Sequence, residues 1–138
     1  MQMIVIDYLR IFRFLVVCPQ YTNLTDADRK YGHGTTGGQK CDDALHGWHR
    51  FLGDAGRKMM TECPSINKCG ATFSVWLNDD HPTVAQGSVK KKICIRKVEP
   101  GDCCAHSFFI TVKNCGSYFI YELLTTGFDC EFRYCGTD

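Results

Sequence analysis

The run GDCCAHSFFITVKNCGSYFIYELLTTGFDCEFRYC, residues 101–135, decides how this chain is read. Two stretches within it, 108–112 and 118–124, are rich in Phe, Tyr, Ile and Val, side chains that suit a pleated, half-buried surface. Between them stand Asn114, Cys115, Gly116 and Ser117, a turn-prone set. The pattern predicts a β-hairpin. Cys103, Cys104, Cys115, Cys130 and Cys135 lie in or beside it, so its strands and exits are expected to be tied to the rest of the chain. That describes a scaffold and names no chemistry.

Working outward, 138 residues are enough for one domain and short for two. Sixteen basic and fifteen acidic side chains leave a net charge of +1. Nucleic acid as a partner would call for a marked basic excess, which is missing. The ten cysteines add Cys18, Cys41, Cys63, Cys69 and Cys94 to those above. Their number is even, their spacing irregular, and no paired Cys-x-x-Cys knuckles suggest zinc. Five disulfides in an oxidising compartment are therefore expected. Ten cysteines allow about 945 pairings, so spacing alone does not give the connectivity. A bridge between adjacent cysteines strains the geometry, so Cys103 and Cys104 are each expected to reach a different partner.

Residues 1–17 are apolar but broken by Asp7, Arg10 and Arg13. The segment is too short and too charged to span a bilayer. It lacks the small-residue cleavage site of a secretory signal. A degraded signal, a fragmentary start and an N-terminal strand or helix all fit, and the fragmentary start fits best. The domain is placed at 18–138. The sequence stops three residues after Cys135, which reads as the edge of one module in a longer chain.

Residues 18–40 are polar and Gly-rich, and a long loop with a turn near 26–29 is expected. Within it Asn23-Leu24-Thr25 is a sequon for N-glycosylation. Around 45–50 the alternation gives a mixed strand signal, and Trp48, Phe51 and Leu52 are assigned to the core. Met59-Met60 suggests a further strand. Phe73, Val75 and Leu77 alternate with Ser74 and Trp76, a strand pattern. Residues 78–82 read as a surface turn ending in Pro82, which cannot donate to a ladder. Residues 87–98 form another strand candidate, and 128–134 carry Phe128, Phe132 and Tyr134 between the last cysteines. The core is expected to gather Trp48, Phe51, Trp76, the hairpin aromatics and Phe132. The fold class is thus a small, disulfide-rich, β-dominated single domain, with an α+β variant allowed.

Few residues suggest reactivity. His46 and His49 lie near Cys41, Asp42 and Asp43, but their spacing does not put two ligands on one helical face. Asp79-Asp80-His81 lacks the spaced ligands and glycine of a calcium loop and reads as a solvated turn. No Gly-x-Ser-x-Gly elbow or phosphate-binding glycine loop is present. Five bridges would leave no thiol for a cysteine nucleophile. Neither a cofactor nor a metal is expected. The one basic cluster is Lys90, Lys91, Lys92, Arg96 and Lys97, a candidate anion-binding set. In a strand its charges divide between two faces, and a charged edge strand that resists aggregation explains it as well.

Several motifs together carry a resemblance. From Cys18 to Asp138 the sequence resembles the cysteine-rich domain of the uromodulin and pancreatic secretory granule major glycoprotein family, with an invertebrate-type cast. The matching stretches are Cys18-x-x-Tyr21-Thr22-x-Leu24-x-Asp26-x-x-Arg29, Leu45-His46-Gly47-Trp48-His49-Arg50-Phe51, Trp76-Leu77-Asn78-x-x-His81-Pro82, Gly101-Asp102-Cys103-Cys104 and Tyr134-Cys135. The resemblance implies a non-enzymatic, secreted or extracellular module of a mosaic protein whose partner is an extracellular protein or glycan. Vertebrate members offer an N-glycan on the Asn of the Trp-Leu-Asn motif to a bacterial fimbrial adhesin. Here that position is Asn78, followed by Asp79 and Asp80, so the sequon is broken. Glycan display would then fall to Asn23. Anionic-glycan binding through the 90–92 lysines and, with low weight, a thiol or metal enzyme are the alternatives.

Overall fold

Strands form where β-branched and aromatic residues alternate with polar ones, and turns where glycine, proline or asparagine interrupts them. The computed structural model describes residues 18–32, 40–97, 102–125 and 132–138. Readings placed on the apolar N-terminal segment, the glycines of 33–39, Val98, Gly101, Phe128 and Cys130 lie outside these residues. The strands are β1 (Thr22–Leu24), β2 (Gly47–Phe51), β3 (Lys58–Met59), β4 (Phe73–Leu77), β5 (Ser88–Ile95), β6 (His106–Asn114), β7 (Phe119–Leu123), β8 (Phe132–Tyr134) and β9 (Gly136–Thr137). Short 3-10 turns occupy Ala27–Arg29, Gly53–Ala55 and Val84–Gln86, and no α-helix occurs among the described residues.

Seven strands make one sheet in the order β1-β2-β7-β6-β5-β4-β8, and β3 pairs with β9 in a small second sheet. The hairpin is its centre: β6 and β7 run antiparallel with Val112 opposite Tyr121 and Asn114 opposite Phe119. Gly116, at a φ of +97°, lies in the connecting turn, where a side chain would be strained. The two outermost strands, β1 and β8, each pair in parallel, β1 with β2 and β8 with β4. The expected loop at 18–40 therefore contains an edge strand. Thr-Asn-Leu has no strand pattern of its own, and its conformation comes from the partner strand.

One face of the sheet is the core. Phe51, Val75, Leu77, Ile93, Ile95, Val112, Tyr121, Leu123 and Tyr134 are buried there, with Phe51 edge-on to Tyr121 at 5.4 Å between ring centres. Trp48 does not join them. Strand parity is set by Phe51, so Gly47 and His49 point inward and Trp48 points outward, half-buried. His49 is only 3% exposed, and its Nδ1 is 2.8 Å from the Gly47 carbonyl oxygen. Leu52 is half-buried. Trp76 is buried although its strand position faces outward, because the 103–104 segment covers it, and its Nε1–H donates to the Cys103 carbonyl at 2.8 Å.

Disulfides tie the sheet to its connections. Cys18 bridges to Cys115, Cys63 to Cys103, Cys69 to Cys135 and Cys94 to Cys104. Cys41 is bridged as well, and no free cysteine occurs among the described residues. The adjacent Cys103 and Cys104 reach different partners. Bridges of this kind are each worth roughly 2–4 kcal/mol, chiefly through the unfolded chain.

The segment 132–138 closes the structure. Arg29 grips Asp42 with both terminal nitrogens, at 2.7 and 2.8 Å, in a buried ion pair. Asp42 also accepts the Tyr134 N–H at 2.7 Å, and Arg29 donates to the Tyr134 carbonyl at 3.0 Å. Arg133 reaches back to Asp28 at 2.8 Å and Asp26 at 3.3 Å. At Gly136 a Cβ would collide with the Ala55 carbonyl and the Phe51 ring, so only glycine fits.

Candidate functional site on the outer face of the sheet

The side of the sheet turned away from the core carries the unspent chemistry. Its residues are Trp48 and Arg50 on β2, Glu122 on β7, Phe109, Thr111 and Lys113 on β6, and Lys90 and Lys92 on β5. Ile120, opposite Lys113, shares this side but is buried, as is Cys94 at the far end of β5. Asn23 on β1 is opposite Arg50 and belongs to the same side. Asn23 and Thr25 are exposed, while Leu24 between them is anchored in the core. The Leu24 carbonyl accepts the Leu52 N–H at 3.0 Å, which fixes the sequon backbone.

Beside Asn23, Arg50 lies over the Tyr118 ring at 4.0 Å and donates to the Tyr21 hydroxyl at 3.2 Å. That hydrogen bond lowers the Tyr21 pKa from its ordinary value. Arg50 and Tyr118 line a cleft of about 490 Å³ with Arg57, Ser117 and Asp138. A second cleft of about 430 Å³ lies over the Arg29–Asp42 pair and is lined by Lys40, Asp26 and Arg133. Two of its carboxylates are engaged by cations: Arg29 holds Asp42, and Arg133 is 3.3 Å from Asp26. Among the described residues no group of three His, Cys, Asp or Glu side chains is placed to hold a metal ion.

The basic cluster of the sequence does not stay together. Lys90 and Lys92 project outward. Lys91 points to the other face, where its ammonium is 3.4 Å from Asp79. Arg96 turns onto the Cys63–Cys103 bridge, with Nη1 3.0 and 3.3 Å from the two sulfurs. Lys97 follows the strand, its N–H bonded to the Asp102 carbonyl. Nor is β5 an edge strand: it lies between β6 and β4. Yet the ladder with β4 covers residues 93–95 and ends at the Lys92 carbonyl, which accepts the Asn78 N–H, so Lys90 and Lys91 pair with β6 alone among the described residues.

The Trp76–Pro82 motif proves structural rather than exposed chemistry. His81 is not in a solvated turn. Its ring packs 4.3 Å from Phe119, and Nε2 is 2.8 Å from the Tyr121 hydroxyl. That hydroxyl already accepts the Met59 N–H at 2.9 Å, so its own proton goes to His81, which is held neutral. Burial lowers the His81 pKa to about 4, and Lys58 and Lys91 add to the shift against Asp80. The Pro82 carbonyl accepts a 3.0 Å hydrogen bond from the Asn114 side chain. Asn78 is exposed, and its N–H is bonded to the Lys92 carbonyl. Sequence reasoning missed Lys113 and Phe109 as outer-face neighbours of the lysines, because only the strand register brings them there.

A disulfide-stapled mixed sheet with one packed face and one largely polar face defines a class of small, cysteine-rich β modules. Comparison with known proteins makes the class specific. The family model for the uromodulin-like domain matches residues 49–136. Pancreatic secretory granule membrane major glycoprotein GP2 of Canis lupus familiaris is 38% identical over 119 residues, 86% of this chain and 23% of the relative. Uromodulin of Mus musculus is 36% identical over 119 residues, again 86% of this chain and 18% of the relative. The chain belongs to the uromodulin-like domain family, and its setting is secreted or extracellular. It spans about a fifth of the length of the curated relatives it matches. Among the described residues no helix is long and apolar enough to cross a membrane.

Proposed function

We propose that this chain is a non-enzymatic extracellular interaction module that carries an N-linked glycan at Asn23 and offers it to carbohydrate-binding proteins, including those of microbes. One observation carries this reading. Asn23 and Thr25 stand exposed on and beside an outermost strand, while Leu24 between them is fixed in the core. A glycan there would leave from a rigid point beside the Tyr21–Arg50–Tyr118 stack. The family position Asn78 has Asp80 where a sequon needs Ser or Thr, so display moves to Asn23. The bridged cysteines support a binding role over a thiol enzyme, since they offer no nucleophile among the described residues. Anionic-glycan binding by Lys90 and Lys92 is the second reading, supported by their freedom from ion pairs among the described residues.

The test is the intact mass of protein secreted from eukaryotic cells, before and after enzymatic removal of N-glycans, beside an Asn23→Gln variant. A mass loss on treatment that is absent in Asn23→Gln is expected. Retention of the native protein, but not the variant, on a mannose-specific lectin would follow. An unshifted mass would end the glycan-display reading.

A further inference from the structure

The register of β5 and β6 gathers residues that are far apart in sequence. Lys92 lies directly opposite Phe109, Lys90 opposite Thr111, and Ser88 opposite Lys113. Neighbours across a strand pair sit about 5 Å apart on one face, and diagonal neighbours about 7–8 Å. Lys113 is therefore diagonal to Lys90, and Lys90 is one outward position from Lys92. Phe109 is 63% exposed, the most open large hydrophobic side chain among the described residues. Glu122, opposite Thr111, is the single acid among the outward positions of β5, β6 and β7. Three lysines against one glutamate leave this part of the face with a surplus of two positive charges.

The surplus is unspent. Lys90, Lys92 and Lys113 make no ion pair among the described residues, whereas Lys91 is paired with Asp79. A compact ammonium suits single anionic groups spaced along a polymer. An open phenyl ring beside the ammoniums offers an apolar surface for the face of a sugar ring. Lys90 and Phe109 are both exposed, so the strip between them is open to a chain laid across it.

We propose that the outer face of β5 and β6 binds a sulfated polysaccharide, a glycosaminoglycan. Lys90, Lys92 and Lys113 contact its sulfates, and Phe109 underlies a sugar ring. The binding set differs from the basic cluster of the sequence: it drops Lys91, Arg96 and Lys97 and adds Lys113 and Phe109. It deepens the second reading above, rests on the extracellular setting, and is independent of a glycan at Asn23.

The test uses the full chain as Asn23→Gln, so that glycan display and polyanion binding are read separately. Affinity for heparin is measured across a salt series, with thermal melts to check folding. The triple variant Lys90→Gln, Lys92→Gln, Lys113→Gln is expected to bind about tenfold more weakly. Its salt dependence should fall by about three ion contacts. Phe109→Ser is expected to weaken binding several-fold while leaving the salt slope unchanged. Lys97→Gln should match the parent. Fully desulfated heparin should not be retained. The proposal is overturned if the triple variant binds like the parent, if Lys97→Gln alone loses as much as the triple variant, or if desulfated heparin binds equally well. Heparin binding that survives the triple variant would leave anionic-glycan binding standing and sink only the assigned face.

Discussion

The two faces of the seven-stranded sheet are built from alternate residues of the same strands, yet they obey different rules. On the inner face Ile93, Val112 and Tyr121 are fully buried, and each is fixed by what it touches. On the outer face Lys92, Phe109 and Lys113 have no ion pair or ring contact among the described residues, and they sit in the same β5–β6–β7 ribbon. Packing decides the first set and leaves the second to be decided by function. A change of equal size should therefore cost much on one side and little on the other.

The largest expected effect attacks the closed side where it is polar. Asp42→Ala leaves Arg29 buried without its bidentate partner and frees the Tyr134 N–H. Breaking a buried pair in this way costs about 3–5 kcal/mol, to be read by chemical denaturation with the disulfides intact. The next effect is a pH dependence. His81 has a folded pKa of about 4, below its ordinary 6.5, so the folded state resists protonation. Its contribution is complete above pH 6.5 and is lost as pH falls toward 4. A shift of that size on a partly exposed ring is worth roughly 2 kcal/mol after allowance for solvent. His81→Gln should remove the slope between pH 6.5 and 4 that the parent shows in denaturation midpoints. The smallest effect lies outside: Lys92→Gln or Phe109→Ser should move stability by less than about 0.5 kcal/mol. A larger loss at Phe109 would mean that the outer face is packed after all.

Much of the inner face was legible in the sequence, and much of the outer face was not. The hairpin, the strand at 73–77 and the strand inside 87–98 announced themselves through alternation and β-branched residues. These signals are local, and β4 through β7 follow them. Trp48 departs from expectation because size and hydrophobicity favour the core, while parity with Phe51 turns it outward and places His49 inside. His81 looked solvated because its neighbours Asp79 and Asp80 are, and nothing near it in sequence points to Tyr121, forty positions away. Lys113 joined Lys90 only through register, which no spacing along the chain reports. The basic cluster had the opposite fault, since five charges near one another in sequence were sent to different surroundings.

The segment 132–138 holds the partners of much that comes before it: Asp42, Arg29, Cys69, Phe73 and Lys30 all await it. Among the described residues it is also the last to be synthesised. A growing chain can zip its central hairpin, but β4 must leave one side open and Cys69 must wait as a thiol until Cys135 arrives. The sheet is thus fastened from its latest-made strand backward, and the secretory compartment that oxidises it meets a finished sheet only once residues 132–138 have been delivered.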